Sequence, residues 1–479
     1  ETGHDGLVKR FGYDALGRLE SSTDPRSGRW VTTFHPGTDL PDEMRDPAGR
    51  LVEKKVQDSM GRVIFTRDAA DRTTRMAYTP RGELWRRWGS GVKPVAFAYD
   101  GYGQRTHQYL YRDDTPTRWE SVTWPGEGLP SQATEWEHDA ATGLLVRKYD
   151  AERRFTEWAY NERGQPSRKT LARRVNGAPL VVSYSYVSGT GEPATITYSD
   201  GTPAVSYETG GQTRLGQPRA ITDATGTRTF EHDIAAPWRL TQEVLPSFYG
   251  GRRLAAVYEE ANGTPAGATA LSGHVLASVK GRGAGFRLGA NPTASSFDLE
   301  MIRSIADTGR IAGISHRRAN GVAAREFAYG YEPAPSGAPS SLVRTVTAAG
   351  SGWSLTRMFD PVHDVPTAVE TRWNGVIQSR HAYQYNAVAL RDTAVQTGEA
   401  FADVGATYQR LTYGSRGELR SAYGYAGSDP GSTARPLASR LHDYTHDAAG
   451  NRLTANPSGD PALRDDFTAD ALNRLRQRE

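Results

Sequence analysis

The 479-residue chain contains no cysteine, and only seven of its 58 basic residues are lysines. The absence of cysteine excludes a disulfide framework, a cysteine nucleophile and a thiolate metal site. No stretch approaches 18 uninterrupted apolar residues, so the sequence predicts no insertion into a membrane as a helix. The basic residues nearly balance 55 acidic ones and leave a net charge of +3. Such a mixed-sign surface argues against nucleic acid as a partner.

Motifs that carry chemistry are also missing. The sequence has no Gly-x-Ser-x-Gly elbow, no His-Glu-x-x-His zinc motif and no Gly-Lys-Ser/Thr phosphate loop. His442 and His446 are four residues apart, but His446 occupies the aromatic position of a repeated unit rather than a helix. The glycine-rich stretch 281–289 lacks a correctly spaced third glycine and is interpreted as a loop. The sequence therefore predicts no catalytic residue, no metal ligand, no cofactor and no enzyme.

One short unit recurs along the chain: an aromatic residue, an aspartate, two variable residues, a glycine, an arginine and an apolar residue. Its first copy is Tyr13-Asp14-Ala15-Leu16-Gly17-Arg18-Leu19. Copies follow at steps near 11 residues over 10–165 and return over 408–475, whereas the pattern is degenerate over 235–435. The repeat residues are Tyr13, Asp14, Gly17, Arg18, Asp46, Gly49, Arg50, Asp58, Gly61, Arg62, Tyr99, Asp100, Tyr149, Asp150, Asp447, Gly450 and Arg452.

The chemistry of this unit is that of a tight turn between strands. The aspartate can accept backbone N–H bonds two residues on, and the glycine takes a positive φ without steric penalty. The arginine and the aromatic ring can stack across neighbouring strands, at roughly 0.2–1 kcal/mol for each contact. Turn signals every 8–12 residues, with two-residue alternation between them, predict an all-β fold of many short antiparallel strands. The best helical window, 299–306, reads equally well as a strand.

The recurrent Tyr-Asp-x-x-Gly-Arg-Leu unit resembles the YD repeat of the Rhs/YD-repeat family, which includes Rhs toxins, insecticidal toxin complex B and C subunits, and teneurins. The resemblance covers roughly residues 7–475. It implies a long antiparallel β-sheet that spirals into a hollow or partial, barrel-like shell. In the toxins the shell encloses a cytotoxic C-terminal segment, and in teneurins it belongs to a cell-surface receptor. Asp46-Pro47-Ala48-Gly49 resembles the family's cleavage element, but it lies inside an ordinary repeat and is interpreted as a turn.

The organisation that follows from this resemblance is simple. Residues 1–3 match the remnant of an expression-vector secretion signal, and residues 4–479 are expected to form one continuous shell without a linker. The resemblance implies a bacterial protein that is secreted or displayed on the cell surface. Its expected partners are its own C-terminal polypeptide or another shell segment of the parent protein. Because full shells of the family are longer, closure of the shell stays open at this point.

Tryptophan is concentrated in one part of the chain, and four residues, Trp85, Trp88, Trp119 and Trp124, are candidate ligand-binding aromatics. Aromatic platforms with nearby arginines can bind a sugar or a disordered peptide, whereas the alternative is packing of strand against strand. Three hypotheses on function therefore stay open. The first is a non-catalytic shell that encloses or displays polypeptide such as a C-terminal toxin. The second is a surface adhesion module that binds a glycan or a cell-surface protein, and the third is a dormant or partial enzyme such as the family's self-cleaving protease.

Overall fold

The structure is a computed structural model. It describes residues 2, 7–113, 115, 117–208, 216–217, 219–233, 239–258, 283–306, 308–319, 325–334, 339–457, 460–470 and 472–478. Within these residues the chain forms 36 strands, β1 to β36 in chain order, and four short 3₁₀ segments, with no α-helix. The described part therefore confirms the predicted all-β fold. The 3₁₀ segments are Arg118–Glu120, Ser247–Tyr249, Glu399–Phe401 and Pro461–Leu463.

The first half of the sheet contains strands of four to ten residues. In order, β1 to β18 are Arg10–Tyr13, Leu19–Asp24, Gly28–Phe34, Pro41–Arg45, Leu51–Gln57, Val63–Asp68, Thr73–Tyr78, Leu84–Trp88, Val95–Tyr99, Arg105–Tyr111, Ser131–His138, Leu145–Tyr149, Phe155–Tyr160, Pro166–Val175, Ala178–Tyr186, Pro193–Tyr198, Val205–Glu208 and Ala220–Asp223.

The second half continues in the same way. In order, β19 to β36 are Gly226–His232, Leu240–Val244, Arg253–Tyr258, Gly283–Gly289, Leu299–Ile305, Ile311–Arg318, Arg325–Pro333, Pro339–Ala348, Trp353–Phe359, Pro366–Trp373, Val376–Tyr385, Arg391–Thr397, Thr407–Tyr413, Leu419–Ala426, Pro436–His446, Arg452–Pro457, Asp465–Ala469 and Leu475–Arg478.

Every strand pairs antiparallel with the next strand along the chain, from β1–β2 to β35–β36. In the described pairings β1 and β36 do not meet, so the sheet is not closed through its ladder. The ambiguous helical window is strand β23. The prediction of a loop over 281–289 is wrong for residues 283–289, because Gly283–Gly289 is strand β22. Residues 281 and 282 lie outside the described residues. There a Cβ on Gly285 would lie 2.0 Å from the Met301 carbonyl oxygen, so this glycine permits close strand approach.

The repeat folds as a turn that is held by its own aspartate. In the copy at Asp58, one carboxylate oxygen accepts the backbone N–H groups of Met60 and Arg62 at 2.9 and 3.0 Å. The other oxygen accepts the Arg62 Nε at 2.7 Å, and this guanidinium holds the pKa of Asp58 below its usual value. Gly61 takes a φ of 78°. The same aspartate–arginine pairing recurs at Asp14, Asp46, Asp68, Asp150 and Asp470.

The tyrosine of the repeat links two turns on the same rim of the sheet. Tyr78 ends β7, and its hydroxyl donates to the carbonyl of Val63, which begins β6, at 2.8 Å. The Arg62 guanidinium lies 4.9 Å from the centre of the Tyr78 ring. Each repeat is thus tied both to its own turn and to the turn before it. The same hydroxyl-to-carbonyl bond recurs from Tyr99, Tyr160, Tyr258, Tyr331, Tyr385 and Tyr413.

The sheet is a wall one layer thick. All seven residues of Leu51–Gln57 are half-buried, so both faces of that strand are partly accessible. The accessible surface of 26822 Å² is about one and a half times the roughly 17,600 Å² expected for a compact monomer of this length. A thin wall leaves little hydrophobic core, and stability must therefore come mainly from the strand ladder and from contacts between turns.

The positive-φ glycines supply a direct test of the turn. Gly49 has a φ of 78° with open space around it, so Gly49→Ala adds backbone strain without a clash. We expect this change to lower the free energy of unfolding by about 1 kcal/mol. Gly101→Ala is the matched control, because Gly101 has open space and no positive φ. Urea unfolding followed by circular dichroism measures both variants, and equal effects would contradict a conformational role for Gly49.

Candidate functional site: the seam between windings

The sheet winds round far enough for its later strands to meet its earlier ones. Because strands alternate in direction, turns from even to odd strands lie on one rim of the sheet and turns from odd to even strands on the other. The β2–β3 turn contacts the β27–β28 turn through Arg26, which donates to Asp364 Oδ1 at 2.6 Å across 338 positions. The β12–β13 turn contacts the β35–β36 turn through Glu152 and Arg474. One rim of the first winding therefore meets the opposite rim of the second, and we call this contact the seam.

Arginine side chains make most of the described polar contacts of the seam. Arg112, in the β10–β11 connection, donates to the Ala469 carbonyl at 3.0 Å and to Asn473 Oδ1 at 2.8 Å. Arg416, in the β31–β32 turn, donates through Nε to the Val92 carbonyl at 3.1 Å. Burial lowers the pKa of the Arg416 guanidinium. Since carbonyls of one turn accept from arginines of another, the windings are joined without a strand ladder.

A tryptophan-lined socket of the first winding contacts a turn of the second winding at the seam. Trp88, Ala96, Tyr111 and Trp119 form a buried cluster with Ala448, which belongs to the β33–β34 turn and is fully buried. Its backbone N–H donates to the Arg112 carbonyl at 3.4 Å. The second winding therefore inserts the variable residue of one of its repeat turns into an aromatic pocket of the first.

The aromatic side chains of this socket find their hydrogen-bond and packing partners within the protein. The Trp88 indole N–H donates to the Ser121 carbonyl and the Trp119 indole N–H to the Asp113 carbonyl, both at 3.0 Å. Trp124 packs edge-on against Trp88, with ring centres 5.5 Å apart. Such contacts add about 0.5–1.5 kcal/mol per pair beyond the burial of area. The structure thus brings Trp88, Trp119 and Trp124 together as packing residues of the seam.

Trp85 lies apart from the other candidate aromatics. Its side chain is 41% exposed, and the Arg86 guanidinium lies 3.7 Å from the centre of its ring. Ligand binding by the four tryptophans stays a prediction. The geometry removes Trp119 from this prediction, because its side chain is only 1% exposed and has no ring face that a ligand could reach.

Several of the remaining repeat residues depart from the simplest pattern. Tyr13 ends the edge strand β1 and is 62% exposed. In the repeat at Asp150, Arg153 takes the positive-φ position usually filled by glycine. In the repeat at Asp447, Asn451 replaces arginine as the side-chain partner, at 2.7 Å, and Arg452 instead stacks on Tyr444. Position in the sequence unit therefore predicts the turn better than it predicts each side-chain contact.

The metal pair considered at His442 and His446 falls in strand β33 and at its end. Burial lowers the pKa of His446. Among the described residues no group of three or more His, Asp or Glu side chains is arranged to hold a metal ion. In the same part of the chain no helix has the length and apolar character that crossing a bilayer requires.

Comparison with known proteins supports the fold. No protein-family profile and no curated protein matches the chain. Among solved structures, the crystal structure of TcdB2-TccC3-TEV aligns with 98% of this chain and 26% of its own, at 12% identity and a TM-score of 0.54. TcdB2-TccC3 and the Photorhabdus luminescens Tc holotoxin pore align at TM-scores of 0.32 and 0.31 over 98% of this chain, at 13% and 12% identity, and over 26% and 25% of their own.

The class that the fold defines is a long antiparallel β-sheet that aligns with part of the TcdB2-TccC3-TEV structure. At this identity the likeness extends to the fold. This chain spans about a quarter of the length of the solved structures that it matches.

Removal of one arginine tests the seam. We expect Arg112→Ala to accelerate backbone hydrogen exchange about tenfold in the turns around residues 447–451 and 470–474, because a guanidinium that bonds to several acceptors is lost. Hydrogen-exchange mass spectrometry resolves these turns from the rest of the sheet. Arg464→Ala is the matched control, since within the part of the chain that the structure describes Arg464 pairs only with nearby Asp466. Faster exchange confined to residues close to Arg112 in the sequence, with unchanged exchange in these two turns, would contradict the seam.

Proposed function

We propose that the chain is a section of a YD-repeat shell of the Rhs family, a wall that encloses or displays an extended polypeptide and performs no catalysis of its own. The observation that carries the proposal is the seam, because it converts a ribbon of strands into a wound wall. The cargo would be the C-terminal polypeptide of the parent protein, such as a toxin, or another segment of its shell. A secreted or cell-surface bacterial protein is the setting in which such a wall would act.

The size of one winding supports an unfolded cargo. The β2–β3 turn meets the turn that lies 25 strands later, and the β10–β11 connection meets the turns that lie 23 and 25 strands later. At about 4.8 Å per strand, such a winding has a circumference near 115 Å and a diameter near 37 Å. Subtracting a wall of about 10 Å leaves about 27 Å. A folded domain of about 100 residues has a diameter near 33 Å, so an extended chain fits the interior better.

Protection of an attached polypeptide tests this function. An uncharged Gly/Ser-rich segment of about 60 residues that carries one protease site is fused after Glu479. We expect the fused site to be cleaved at least ten times more slowly than the same site in the free segment, because the wall restricts access of the protease. Gel electrophoresis over time gives both rates.

Two comparisons make the result specific. Cleavage should become faster when Arg112→Ala opens the seam, and it should stay slow with the control Arg464→Ala. Equal cleavage rates of the fused and the free segment would overturn the proposal of enclosure. Equal cleavage rates in the two variants would also overturn it.

A second candidate function is favoured by Trp85. Its exposed ring beside Arg86 has the chemistry of a glycan- or protein-binding platform on a cell surface. We expect a glycan-array signal of the full chain to be lost on Trp85→Ala and kept on Trp373→Ala, since Trp373 is a second exposed tryptophan at 49%. Absence of any signal from the unaltered chain, or equal loss in both variants, would remove this candidate.

A further inference from the structure

Five successive strands, β10 to β14, present a cation and an aromatic ring in alternation. The residues are Arg105, Trp136, Lys148, Trp158 and Lys169, one from each strand. The Trp136 ring lies between two of the cations, with Arg105 Cζ at 5.9 Å and Lys148 Nζ at 5.4 Å from its centre. Lys169 Nζ lies 5.7 Å from the centre of the Trp158 ring. We call these five residues the cation–ring row.

The strand register places the row on one face of the wall. Trp136 stands opposite Lys148, and Trp158 stands opposite Lys169. Lys148 also stands opposite Thr156, two positions before Trp158, so that both pairs share a face. Arg105 belongs to the same face because it stacks on the Phe97 and Trp136 rings. The row therefore runs across the strands and not along one of them.

Carboxylates are absent from the strand positions of this face. The strands from β9 to β16 contain three acidic residues, Glu135, Glu137 and Glu157. Register puts all three on the opposite face, where Arg147 stands between Glu137 and Glu157. Arg147 pairs there with Glu157 at 2.7 Å. One face of this part of the wall is thus internally neutralised, and the other carries cations alone.

The cations of the row contact rings and no acid. Among the described residues Arg105, Lys148 and Lys169 form no ion pair, and each lies against a tryptophan ring. Lys148 and Arg105 are exposed. An ammonium group that rests on a ring face keeps N–H donors directed to solvent, and a carboxylate is the group that they would bind most strongly.

We propose that the cation–ring row binds an acidic segment of extended polypeptide. The inference rests on the proposed function, because it names the chemistry of the chain that the wall would hold. Cations on every second strand are about 9.6 Å apart. Three residues of polyproline-II chain span about 9.3 Å. A segment with an acidic residue at every third position therefore matches the row.

Polypeptide fits the row better than nucleic acid or a glycan does. Bases and sugars bind aromatic platforms by stacking on an open ring face. Here Lys148 covers one face of Trp136 and Lys169 one face of Trp158, and Phe97 is buried. A carboxylate on a flexible side chain needs only the ammonium or guanidinium N–H groups, which stay accessible.

The test uses the full chain and a fluorescein-labelled peptide of five Glu-Pro-Pro repeats. We expect saturable binding by fluorescence anisotropy that weakens as salt rises. The variant with Lys148→Gln and Lys169→Gln should bind about tenfold more weakly, because it removes two of the three cations of the row. Arg147→Gln is the matched control on the opposite face and should bind as the unaltered chain does. Circular dichroism checks that both variants are folded.

Several outcomes would overturn the inference. These are no saturable binding, equal weakening by Arg147→Gln, equal binding of a Lys-Pro-Pro peptide, or tighter binding of single-stranded DNA or an anionic polysaccharide than of the acidic peptide. Failure here is distinguishable from failure of the proposed function, because the protease experiment uses an uncharged cargo. If that cargo is protected and the acidic peptide does not bind, only the present inference is wrong.

Discussion

The carboxylate of the repeat aspartate is the interaction on which the whole sheet depends. In the copy at Asp58, one oxygen accepts two backbone N–H groups and fixes the turn, and the other holds Arg62. The held guanidinium can then stack on Tyr78, whose hydroxyl bonds to the backbone after the same turn. Turn, arginine and tyrosine form one cooperative unit. Since the unit is renewed every two strands along a rim, a sheet with almost no core can keep its register over 36 strands.

A wall of this kind needs arginine more than lysine. The planar guanidinium can donate to a carboxylate or carbonyl in its own plane while its face lies on a ring. Arg18 does both, since it pairs with Asp14 and lies 4.5 Å from the Phe34 ring. At the seam the same geometry lets Arg112 bond at once to the Ala469 carbonyl and to Asn473 Oδ1. A lysine offers a single compact charge and could not serve both roles.

The sequence predicts what lies within one repeat, and it fails where distant segments meet. The turns at Asp14, Asp46 and Asp58 are evident because every group they need lies within five residues. The seam could not be predicted, because Ala448 and Trp119 are more than 300 positions apart and alanine carries no pattern of its own. Strand β22 was missed because its glycines resemble a loop, although Gly285 is required by close strand approach. The grouping of tryptophans in the sequence did mark residues that lie together, but they form the packed socket of the seam.

The two faces of the wall differ chemically because successive residues of a strand point to opposite faces. Alternation along β11 places Glu135 and Glu137 on one face and Trp136 on the other. Register shifts between β11 and β12, and again between β13 and β14, occur at the strand ends and leave this assignment intact across the centre. A one-residue slip there would mix acids with the cation–ring row and neutralise it. The turn unit therefore does more than stabilise the sheet. By fixing register at each rim, it separates the acids from the cation–ring row over β9 to β16, and a single-layer wall thereby acquires two chemically different faces.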